Sequence, residues 1–191
     1  NKCPNKSQEF QMLYHANYGK PILQKGSRLK GTFQSVQAFN KEALSDIHNW
    51  DVYEKPGFVP PGGERLYCVT PFADNTGMAH VLLHDAKGRI GVSTKFRPSQ
   101  LPCLSVWKNE DVEANGYVTG IEPGTTFPPN RTVERKAGRL GTLLPNQSRK
   151  FELEFTVHGN ENHVKAATEC IEEAKRTRSQ YKPSIIANTL M

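Results

Sequence analysis

Tyr117-Val118-Thr119-Gly120-Ile121-Glu122-Pro123-Gly124 is the stretch on which the reading of this chain turns. Alternation puts Val118, Gly120 and Glu122 on one face of a strand that ends on the carboxylate, before Pro123 and Gly124 break it. Gly120 has no side chain, so another group can approach the sheet two residues from Glu122. A carboxylate beside a bare patch suits a base that must touch a ligand. The plain alternative is a surface Glu closing a strand.

Upstream, Leu13-Tyr14-His15-Ala16-Asn17-Tyr18-Gly19 reads as a second such strand. Over Glu9 to Tyr18, Phe10, Met12 and Tyr14 fall on one face, and Gln11, Leu13, His15 and Asn17 on the other. With a free pKa of ~6.5, His15 suits an acid working near neutrality, and Asn17 can orient a ligand. The alternative for His15 is a half-buried imidazole bonded to a backbone carbonyl. A His and a Glu on separate strands form an acid and base pair in principle.

Other candidates follow from the strand ends. Trp107 can stack on the apolar face of a sugar, and Lys108 can bind hydroxyl or acidic groups. The two point to opposite faces of a regular strand, so they serve one site only if the strand bends. Core packing is the alternative for Trp107. Arg97 ends the preceding strand, and Arg131 follows the turn Phe127-Pro128-Pro129-Asn130; each suits an acidic sugar or simply faces water. His80 and His84 lie about 13 Å apart if extended and cannot share one ion. Cys3, Cys68, Cys103 and Cys170 are widely spaced without a C-x-x-C pair, so neither a metal nor a cofactor is expected.

The strand reading extends outward. Glu64 to Thr70, Met78 to His84, Arg89 to Arg97, Leu101 to Lys108, Leu140 to Leu144 and Phe151 to His158 read as further strands, the second and third joined by Asp85-Ala86-Lys87-Gly88. About eight strands separated by turns point to an all-β sandwich of antiparallel sheets. Lys41 to Gly63 reads as a long connection rich in Pro and Gly. One helix stands out over about 160–179, with Val164, Ala167, Ile171 and Ala174 on one stripe and Asn160 or Asn162 as N-cap. The tail, 180–191, carries no clear pattern.

The 191 residues suffice for one domain with a sizeable core. The net charge of +6 comes from scattered basic residues, which argues against a nucleic-acid partner. No run approaches the roughly 20 apolar residues that span a bilayer. Asn1 to Gln11 lacks a signal-peptide pattern, and Cys68 and Cys103 read as small buried hydrophobes in a reducing compartment, so a cytoplasmic location is expected.

Leu13-Tyr14-His15-x-Asn17-x-Gly19-x-Pro21-Ile22-Leu23 resembles a segment of an aldose-1-epimerase-like family, in a bacterial branch. Leu101-Pro102-Cys103-Leu104-Ser105-Val106-Trp107-Lys108, the Tyr117 to Gly124 run, and Gly138-x-Leu140-x-x-Leu143-x-Pro145 extend the resemblance over about residues 1–159. It implies the galactose-mutarotase-like fold, an antiparallel β-supersandwich with a concave sugar site. It also implies Glu122 as the base at the anomeric hydroxyl and His15 as the acid at the ring oxygen. Two departures stand out. The family's earlier sugar-contacting Arg and His have no counterpart here, and Glu122-Pro123-Gly124-Thr125 replaces the commoner Glu-x-Gln. The fold usually takes more residues, so 1–191 is expected to be a single mutarotase-like domain that is the C-terminal portion of a longer protein, incomplete at its N-terminus.

The expected function is therefore a carbohydrate epimerase acting on a sugar or sugar acid. The catalytic residues would be His15 and Glu122, with Asn17, Arg97, Trp107, Lys108 and Arg131 contacting substrate. A carbohydrate-binding or structural domain of a larger carbohydrate-active enzyme is the alternative. The oligomeric state is not legible.

Overall fold

The computed structural model describes residues 1–59, 63–178 and 184–189. In chain order the elements are β1 (Gln8–Phe10), β2 (Ala16–Tyr18), β3 (Arg28–Gly31), β4 (Phe33–Ala38), α1 (Lys41–Ser45), β5 (Arg65–Pro71), β6 (Ala79–His84), β7 (Gly91–Phe96), β8 (Cys103–Asn109), β9 (Val118–Gly124), α2 (Arg131–Lys136), β10 (Gly141–Leu143), β11 (Leu153–His158), α3 (Glu161–Arg176) and β12 (Ser184–Thr189). They form a six-stranded sheet in the order β12-β4-β5-β8-β9-β2, a four-stranded sheet β11-β7-β6-β3, and the pair β1-β10. Neighbours are antiparallel except β12 and β4, which are parallel. The all-β sandwich expected from alternation is the architecture found.

The core lies between the two larger sheets. Val36, Tyr67, Val69, Leu104, Val106 and Ile121 face it from one side; Leu29, Val81, Leu83, Val92 and Phe96 from the other. Full burial of such a side chain stabilises by roughly 1.5–3 kcal/mol. The connection expected over Lys41 to Gly63 is less irregular than its sequence. Asn40 caps α1 by accepting from Ala43 N at 3.1 Å, and Trp50 and Tyr53 enter the core. Pro60, Pro61 and Gly62 lie outside the described residues.

The helix read from its stripe is α3, capped by Asn160, whose side chain accepts from His163 N at 3.0 Å. Val164 and Ile171 are buried against Leu82 on the outer face of the four-stranded sheet, with Ala167 beside them. It ends at Arg176; 179–183 and 190–191 lie outside the described residues, but 184–189 form a strand where the sequence shows no clear pattern.

Two expectations about strands are corrected. Glu9 to Tyr18 is not one strand: β1 pairs with β10 and β2 with β9, joined through a single bridge between Leu13 and Gly124. Nor does Pro123 end β9, which runs on to Gly124. Both follow from one register. The Leu13–Gly124 bridge and the Ala16–Ile121 pair continue each other, which sets Tyr14 opposite Pro123 and His15 opposite Glu122. Tyr14 N donates to Pro123 O at 2.9 Å. Proline has no N–H to return, so the ladder lapses there and resumes at Ala16.

Candidate active site

The register that interrupts β2 builds the site. On the outer face of the six-stranded sheet, Asn17, Gly120, Trp107 and Leu66 form one cross-strand row. His15, Glu122, Ser105 and Cys68 form the next. Residues directly opposite on neighbouring strands share a face and lie close enough to touch.

His15 Nε2 stands 3.0 Å from Glu122 Oε1. The His side chain is 46% exposed and the Glu side chain 5%, so the imidazole lies over the carboxylate like a cover. Gly120 makes this possible. A Cβ there would fall 2.3 Å from Glu122 Oε1 and 3.3 Å from His15 Cε1. The group that approaches the bare patch is thus the carboxylate itself, folded back along its own strand. Trp107 meets His15 edge-on, with ring centroids 6.2 Å apart and planes at 66°.

Burial pushes the Glu122 carboxyl above the usual carboxylate range, and the charge of His15 opposes that shift. A raised pKa makes an ionised carboxylate a stronger proton acceptor, and a facing imidazole supplies a donor.

The remaining candidates are dispersed. Asn17 is exposed in the row of Gly120 and Trp107 and shares the face of the pair. Lys108 does not: β8 stays regular, so Trp107 and Lys108 point to opposite faces as alternation requires. Lys108 is fully buried on the core side, where Nζ donates to Val52 O at 2.6 Å and lies over the Tyr53 ring. Burial and the neighbouring Arg65 guanidinium push its ammonium down to about 7. Arg97 follows the four-stranded sheet's β7, donating to Thr76 O at 3.3 Å and lying 3.9 Å from Glu152. Arg131 opens α2 and donates to Gln11 Oε1 at 3.4 Å. Neither is held against the His15–Glu122 pair.

Ser105 carries no site signal in the sequence beyond its place in the Leu101 to Lys108 strand. It is fully buried, stands opposite Glu122, and its Oγ has no hydrogen-bond partner among the described residues. Its place two residues before Trp107 signals a shared face, but the register to β9 is not written in either strand alone. Among the described residues no group of three or more His, Cys, Asp or Glu side chains is arranged to hold a metal. No helix among them is long and apolar enough to cross a membrane.

Residues 1–157 match the family described as "Domain of unknown function (DUF4432)". The whole chain superposes on a solved structure described as a "putative aldose 1-epimerase" from Klebsiella pneumoniae subsp. pneumoniae MGH 78578, with a TM-score of 0.93 and 31% identity. The match covers 100% of this chain and 48% of that one, so this chain spans about half the length of that protein. Among curated proteins none matches.

Proposed function

Because the chain belongs to the family described as a domain of unknown function, DUF4432, and has the fold of an aldose-epimerase-like structure, we infer that it serves a carbohydrate epimerase that opens and recloses a sugar ring. The observation that carries this reading is the contact of His15 Nε2 with Glu122 Oε1 at 3.0 Å above Gly120.

The chemistry needs an acid and a base side by side. The anomeric hydroxyl and the ring oxygen sit on the same carbon, so the two groups that serve them must be neighbours rather than face each other across the ring. Glu122 takes the proton of the anomeric hydroxyl, and its O–H electron pair becomes the second bond of a carbonyl. The bond from the anomeric carbon to the ring oxygen breaks, and the ring oxygen takes the proton of His15. The aldehyde turns about its carbon–carbon bond. The ring oxygen then adds to the other face, returning its proton to His15, and the new anomeric oxygen recovers the proton of Glu122. The direct His15–Glu122 bond opens to admit the two sugar oxygens. Trp107 and Asn17 flank the ring on the same sheet face. Lys108 has no part in this reading, because it is buried on the other face.

The deciding experiment is NMR exchange between sugar anomers catalysed by the full chain and by Glu122→Gln. A positioned base contributes roughly 10²–10⁴-fold, so the variant should lose about that much kcat while still binding sugar. Near wild-type exchange in Glu122→Gln would leave the carbohydrate-binding reading in its place.

A further inference from the structure

The outer face of the four-stranded sheet, on the opposite side of the core from His15 and Glu122, is only partly covered by α3. The helix packs on Leu82 of β6 through Val164 and Ile171. Towards β7 and β11 it leaves a cavity of about 440 Å³, within the roughly 300–1,000 Å³ range of small-molecule sites. Ala166, Ala167 and Ile171 contribute apolar wall. The polar lining holds Ser93, Thr156 and four basic side chains from four elements: His80 of β6, Lys95 of β7, His158 of β11 and His163 of α3. No Asp or Glu lines the cavity among the described residues.

These basic groups act on one another. His158 is buried, 2.9 Å from Ser93 Oγ, and its pKa is held down by burial first and then by the charges of His163 and Lys95. His163 also sits in the first turn of α3, where the helix dipole disfavours a cation. The nearby acids are engaged or stand outside. Glu154 lies 3.4 Å from Lys95 on the surface, and Asp74 Oδ2 lies 2.7 Å from His80 Nε2. Glu169 and Glu173 line the adjoining hollow along the helix, with Glu173 bonded to Arg176 at 2.5 Å. An anion in the cavity would neutralise the repulsion among Lys95, His158 and His163 and meet the helix dipole with the favoured sign.

We propose that this cavity binds a small organic anion with an apolar body, its charge among Lys95, His158 and His163 and its body along Ala167 and Ile171. A ring carboxylate has the required chemistry, and nothing in the proposal depends on the reaction assigned to His15 and Glu122.

The test follows histidine ring resonances of the full chain by NMR during titration with benzoate, benzyl alcohol and inorganic phosphate. Benzoate should give saturable, single-site shifts of His158 and His163. A hydrogen bond to a charged group contributes about 1.5–3 kcal/mol, so benzoate should bind at least roughly tenfold more tightly than neutral benzyl alcohol. Lys95→Gln with His163→Gln should weaken benzoate binding by about tenfold or more, and Lys95→Arg with His163→Lys should keep it. Absence of a saturable shift overturns the proposal. So does benzyl alcohol binding as tightly as benzoate, phosphate binding as tightly at the same residues, or full binding by the double Gln variant. Anomer exchange should be the same in both double variants as in the parent, since neither residue touches the other sheet's site.

Discussion

His15 stands directly opposite Glu122 in the register between β2 and β9, Nε2 to Oε1 at 3.0 Å, with Gly120 leaving room for the carboxylate. Glu122 is held within β9, and His15 sits in the short gap between the Leu13–Gly124 bridge and the Ala16–Ile121 pair, so backbone pairing on both sides fixes where it stands. Sites built on strands hold their geometry more tightly than sites on loops.

Gly120→Ala should be a functional lesion rather than a folding one. The new Cβ would lie 2.3 Å from Glu122 Oε1, so the carboxylate must swing away from His15. Anomer exchange should drop towards that of Glu122→Gln, a loss of roughly 10²-fold or more. The thermal midpoint should move far less than in a core variant. Exchange rates and melting curves on the same preparation check both halves.

The pH profile of kcat/KM should carry an acid limb above the ordinary Glu value of ~4.3, because burial raises the Glu122 pKa. Activity should rise as pH passes that raised value and the base ionises. His15→Asn removes the charge that opposes the shift, so the limb of its residual activity should move to still higher pH. A limb that stayed put or moved down would show that His15 does not act on Glu122.

Trp107→Ala should raise KM with little change in kcat. Trp107 shares the row of Gly120 and Asn17 but holds neither oxygen of Glu122. Stacking on an apolar sugar face binds ground and transition states alike. Steady-state exchange at several sugar concentrations separates the two constants.

Lys108→Met should change the pH dependence of stability. The folded value of about 7 lies below the unfolded ~10.4. Between these values the unfolded chain binds more protons, so the Lys108 contribution grows more favourable as pH rises from about 7 to about 10. Below about pH 7 both states are protonated and the burial penalty is fully present. Urea midpoints of parent and variant, compared pH by pH, should shift in favour of the parent across that window.

Ile171→Ala should destabilise the docking of α3 by about 2–5 kcal/mol. Ile171 is 1% exposed and packs with Val164 against Leu82. Chemical denaturation measures the loss, and anomer exchange under native conditions should persist because α3 lies on the other sheet.

Much of the fold was legible where the local period is clean. β5 to β8 follow apolar alternation, and α3 follows its stripe and its Asn160 cap. β4 escaped because its register shifts between Phe33 and Ser35, which spoils the period over so short a strand. α1 and α2, at 5 and 6 residues, are too short to show a helical period. The parallel pairing of β12 with β4 joins segments far apart in the chain and leaves no local mark.

From its sequence alone, the chain determined a sandwich of strands and one amphipathic helix, and singled out His15 and Glu122 as candidates for acid and base. Alternation also separated Trp107 from Lys108, since a period of two sends neighbours to opposite faces. Only the tertiary structure decided which face is which. It turned Lys108 into the core beneath Val52, left Trp107 beside His15, and drew Arg97 to Glu152 and Arg131 to Gln11. It also set the Glu122 carboxylate in the space above Gly120. The physical reason is that strand register is a long-range choice: a slip of one residue leaves each strand's own pattern intact yet moves every side chain to the other face.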